Sequence, residues 1–121
     1  MTEENEMLAI EAIRHADAIG HGLGPKAFEL YQRTCSVEVR PRLLRQQEAL
    51  SAYTTLVDAR VALGRPAFEV VADADVRAAA NSADAIAKAL DAEVSEAWRR
   101  LREEISALVQ RANGGTVEVR P

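Results

Sequence analysis

The sequence predicts a mainly α protein of one domain spanning residues 1–121. It has four helices, the last of them long, and one small antiparallel β pair joining about 36–40 to 116–120. Three observations carry this prediction. Aromatic residues are only 4% of the chain while alanine is abundant, which favours closely packed helices over a thick sheet core. Apolar residues recur at three- and four-residue spacing through most of the sequence. The alternating exceptions come as a pair, "SVEVRP" at Ser36–Pro41 and "TVEVRP" at Thr116–Pro121.

The first helix runs from about Glu3 to Ile19. Thr2 can cap it, and Glu3, Glu4 and Glu6 suit its positive N-terminal end. Met7, Ile10, Ile13 and Ala16 form its apolar stripe. The glycines and proline of "GHGLGP" end it, and Pro25 opens a short second helix to about Arg33. From Ser36 the period becomes two, with Val37 and Val39 on one face and Glu38 and Arg40 on the other. Pro41 closes that strand and opens a third helix to about Leu63, with Leu43, Leu50 and Val57 at seven-residue spacing, stopped by Gly64 and Pro66. "AFEVVA" (Ala67–Ala72) reads as a further strand or a buried connection. The longest helix starts at Asp73 or Asp75, with a weak point at Asn81–Ser82, and reaches about Ala112. "NGG" (Asn113–Gly115) stops it before the terminal strand.

The two strands are matched to each other. Set antiparallel with Val39 opposite Val119, Glu38 faces Arg120 and Arg40 faces Glu118, while Val37 and Val117 join the valine face. Each such pair contributes only about 0.2–1 kcal/mol, so the ribbon needs helices over its valines. The same pairing serves within one chain or between two. An internal duplication has little support, since "AIEA" (Ala9–Ala12) against "ALDA" (Ala89–Ala92) is nearly all that matches at that offset. Ahead of the terminal strand, Val94, Trp98, Leu101, Ile105, Leu108 and Ala112 step by four and three. This seam resembles a coiled coil under three heptads long.

Composition narrows the function classes. A formal net charge of −4 gives no general footprint for nucleic acid or an anionic membrane. Charge alternates along the chain: six acids and two bases in 1–30, three and six in 31–66, seven and two in 67–96, three and five in 97–121. The single cysteine, Cys35, fits a reducing compartment, and no apolar run is long enough to span a bilayer. The acidic start "MTEENEM" is unlike a signal peptide, so a cytoplasmic protein is expected.

The densest chemistry is "EAIRHADAIGH", where Glu11 and His15 share a helix face four residues apart and His21 follows the helix end. No paired ligand motif accompanies them, so the expectation is a solvated face with no metal and no cofactor. The glycines of "GHGLGP" follow a helix rather than a strand and lack a Lys-Ser/Thr ending, so they read as a turn and not a phosphate loop. The leading functional reading is a non-enzymatic helical interaction or assembly protein, an adaptor that self-associates or docks on a protein partner. Its expected interface is Val94, Trp98, Leu101, Ile105 and Leu108 of the seam, with Val37, Val39, Val117, Val119, Glu38, Arg40, Glu118 and Arg120 of the strands. One alternative is a small DNA-binding regulator whose first two helices form a helix-turn-helix, although the second helix offers only Lys26 and Arg33 as cations. Another is a small helical enzyme or ligand-binding protein built on Glu11, His15 and His21.

Overall fold

The computed structural model describes residues 2–119, and the side chains of 3–114 among them. Among the described residues every regular element is helical and no strand is present. The elements are α1 (Thr2–Ile19), α2 (Leu23–Thr34), a π-helical turn (Cys35–Val39), α3 (Arg40–Ala62), α4 (Ala67–Ala72) and α5 (Ala74–Val119). Because α2, the π turn and α3 run on without a break, the chain has four helices, the last one long.

The expected β pair is therefore absent. Ser36–Val39 lie in the π turn, Arg40 begins α3, and 116–119 fall within α5. The side chains of Val117, Glu118 and Val119, and all of Arg120, lie outside the described residues. Two-residue alternation over four positions is a weak signal between two good helices, and an isolated two-stranded ribbon is marginal in water. Pro41 accounts for the local departure from α geometry. It has no N–H to give, and in an α-helix its ring would press on the carbonyl of Val37. The π turn widens the helix just before it, with the Arg40 N–H bonding the Cys35 carbonyl five residues back. Ala67–Ala72 is also helix, not strand: Pro66 is extended (ψ 155°) and ends at a one-and-a-half-turn α4.

At the first turn, Gly20 (φ 76°) and Gly22 (φ 72°) adopt left-handed backbone angles that a side chain disfavours, so α1 ends and α2 starts within three residues. Asn81 and Ser82 do not interrupt α5; its non-helical position is Gly114 (φ 177°, ψ 44°), inside the expected "NGG" stop.

The chain divides into two compact units, residues 1–40 with 92–121, and residues 41–91. The first has a continuous core. Ala9 and Ala16 of α1, Leu23 and Ala27 of α2 and Val39 of the π turn pack with Val94, Trp98, Leu101, Ile105 and Val109 of α5. Alanines at 0% exposure on α1 and α2 let the helices approach closely around the large side chains that α5 supplies.

The second unit is organised by Asp73. Its Oδ1 accepts the N–H groups of Asp75 (2.9 Å) and Val76 (3.2 Å), capping α5. Its Oδ2 accepts Arg60 Nε and Arg65 Nη1, each at 3.1 Å, while Arg60 Nη2 reaches Asp75 at 3.2 Å. The Val76 N–H first, then Arg60, hold the Asp73 carboxyl below its ordinary 3.8. A depressed carboxyl stabilises the fold above its unfolded value and ceases to do so as pH falls through the folded one. Asp73→Asn is therefore expected to melt below wild type at pH 7, with a smaller gap at an acidic pH below the ordinary carboxylate range, where the native carboxyl protonates. Paired thermal melts followed by circular dichroism check this, and a gap that is the same at both pH values contradicts it.

Candidate interaction surface

The expected seam is internal to the first unit. Val94, Trp98 and Leu101 are each 2% exposed and Ile105 is 1% exposed, covered by α1, α2 and the π turn. Leu108 and Ala112 are half-buried at the edge of this core, and Val109 enters it instead. Trp98 stacks on Tyr31 (ring centroids 5.2 Å apart), and Tyr31 in turn on Phe28 (6.3 Å). The Tyr31 hydroxyl donates to Glu6 Oε1 at 3.2 Å, and Arg102 Nη2 donates to Asn5 Oδ1 at 3.0 Å, tying α2 and α5 to the start of α1.

The titratable groups of this unit are tuned toward structure. Burial, with Cys35 and Glu6 beside it, pushes the Tyr31 hydroxyl well above its ordinary 10.0. Burial also raises the Cys35 thiol above 9.0, and the interaction with the neighbouring Tyr31 hydroxyl opposes it only in part. An activated thiol needs the opposite shift. Glu38 pairs with Arg100 Nη2 across 2.6 Å, so a cross-element partner of this residue belongs to α5, twenty residues before the Arg120 of the expected register. Val39 is buried in the core whereas Val37 is 64% exposed, the split that a helical turn imposes on residues two apart.

Glu11 and His15 are exposed on α1 and His21 is exposed in the turn. Among the described residues no three side chains of metal-ligating type converge. For a helix-turn-helix, α1 and α2 are in place, but α2 continues through the π turn into α3 rather than ending as a separate recognition helix.

The second unit carries the surface that the sequence did not single out. Val70, Val76 and Leu90 are its buried large aliphatics. By contrast Leu43, Leu50 and Val61 of α3 are 50%, 57% and 56% exposed, and Leu63, Phe68 and Val71 are 68%, 72% and 70% exposed. The seven-residue spacing of Leu43 and Leu50 was legible, but not the direction in which it points. One signal was present: from Ala78 to Ala92 α5 is dominated by alanine and offers α3 little to bury against. Between the two helices lies a cleft of about 240 Å³, lined by Gln46, Leu50 and Tyr53 of α3 and by Ala80, Ala83, Asp84 and Ala87 of α5. Its only charged lining residue is Asp84, held by Lys88 one turn on at 3.0 Å. Among the described residues no helix is long and apolar enough to cross a membrane. In comparisons with known proteins, no family model, curated protein or solved structure matches this chain.

Proposed function

We propose that the chain is a non-enzymatic helical assembly protein of the cytoplasm, engaging a protein partner or further copies of itself through the 41–91 unit. The observation that carries this reading is the inverted apolar balance of that unit: its larger aliphatic and aromatic side chains are mostly exposed, and only Val70, Val76 and Leu90 are buried. Soluble monomers rarely leave most of a unit's large apolar side chains exposed, and such surfaces mark interaction sites. The interface expected on the seam moves to the exposed apolar residues of the 41–91 unit, because the seam is consumed by the chain's own core. Local chemistry supports the same reading. Asp73 is committed to a helix cap and two arginines, and the Cys35 thiol is held away from the thiolate.

Two measurements on the full chain test it together: molar mass by light scattering from about 1 to 500 µM, and native-state binding of a hydrophobic dye. The expected result is a mass above one chain, or dye uptake by the monomer. Leu43→Glu with Leu50→Glu lowers either, while Val37→Glu in the other unit does not. A monomer that binds no dye contradicts the proposal.

A further inference from the structure

Resting on that reading, we infer that the α3–α5 cleft seats a second copy of the chain. The dimer is two-fold, its axis running along the hairpin, with α3 of each copy antiparallel over α5 of the other. The two walls of the cleft are complementary to each other in shape. On α3, Leu50 stands 57% exposed and Leu43, one heptad earlier on the same stripe, 50% exposed. On α5, Ala80, Ala83 and Ala87 form a low shelf. A leucine ridge beside an alanine shelf cannot fill its own cleft, but rotated by half a turn onto a copy, each ridge lies on the other's shelf.

Charge supports the same arrangement. Arg60 reaches Asp75 near one end of the hairpin, and 46–53 face 80–87 in its middle. This antiparallel register sets Asp58 level with Arg77. Arg77 lies one heptad before Asp84 on the α5 rim, and Asp58 lies along the Leu50, Thr54, Asp58 line on the α3 rim. Both are exposed, and among the described residues neither takes part in an ion pair, although Arg60 and Asp75 two positions along do. With a dyad along the hairpin, α3 of one copy covers α5 of the other at the same levels, bringing Asp58 of each opposite Arg77 of the other.

The test uses the full chain and four variants. Leu50→Glu is expected to be monomeric with an unchanged helical spectrum and, at concentrations where the wild type is also monomeric, an unchanged melting temperature, since the side chain it replaces is mostly exposed. Phe68→Glu, outside the cleft, stays dimeric. Asp58→Arg and Arg77→Asp each raise the dimer dissociation constant roughly tenfold, two exposed ion pairs being replaced by like charges. Mixed in equal amounts, these two form the heterodimer in preference to either homodimer, because the mixture restores both pairs across the interface; native mass spectrometry reads this directly. An intrachain Asp58–Arg77 pair predicts no such preference. Dimers that survive Leu50→Glu, or statistical mixing of the charge variants, overturn the inference while leaving assembly through another surface intact. A wild-type chain that stays monomeric at every concentration overturns the inference too, and if it binds dye the docking reading stands with a different partner.

Discussion

Trp98→Ala is expected to cost about 3–5 kcal/mol of stability in the unit formed by 1–40 and 92–121, the range for deleting a buried aromatic ring. Trp98 is 2% exposed, touches the core of three helical segments and holds one side of the Tyr31 stack, so its removal leaves a void that alanine neighbours cannot collapse to fill. Trp98→Phe separates packing from polarity. Among the described residues the indole Nε1 finds no acceptor, and a ring without that donor keeps the stack while omitting a group whose burial is costly. Phenylalanine is therefore expected to lie within about 1.5 kcal/mol of wild type. Denaturant titration followed by circular dichroism measures both, since Trp98 is the sole tryptophan and its fluorescence is lost with it. A small loss for alanine, or equal losses for both variants, contradicts this account of the core.

The second large effect is at Ile105, 1% exposed in the same core. Ile105→Ala is expected to cost about 2–5 kcal/mol, through lost transfer energy and the cavity left behind. Leu108→Ala, three residues on and only partly buried, should cost less than half as much. The contrast matters because both residues belong to one four-three seam, whose full use between chains would make them equivalent. Within the chain the core drifts from Leu108 to Val109, as a straight helix drifts against a strict heptad. Equal costs at 105 and 108 in the monomeric state would point to a different packing of α5.

The helices were legible where several local signals agreed. Glu3 and Glu4 at the start of α1, the glycines at 20 and 22, and the start of α5 between Asp73 and Asp75 are short-range features, and each stands where sequence reasoning put it. The β pair was misread because complementarity between "SVEVRP" and "TVEVRP" says nothing about whether either copy leaves its helix. Ser36–Val39 is flanked by α2 and α3, and continuing the helix through a π turn keeps every backbone group close to a partner without a second strand. Which face of α3 is covered was not legible either. Periodicity identifies the stripe of Leu43 and Leu50, while its cover depends on what lies opposite, and α5 presents alanines there. For the same reason the seam looked like an interface: Val94 to Ile105 needed a partner, and α1 and α2 of the same chain supply it.

Hydrogen exchange of the full chain at low and high protein concentration tests the central claim, that the seam is the chain's own core and the 41–91 unit its contact surface. The account predicts that protection in about 45–57 and 80–88 rises with concentration, while 94–109 is strongly protected at both. Protection that rises with concentration in 94–109, with 45–57 and 80–88 unchanged, would return the interface to the seam and contradict the account.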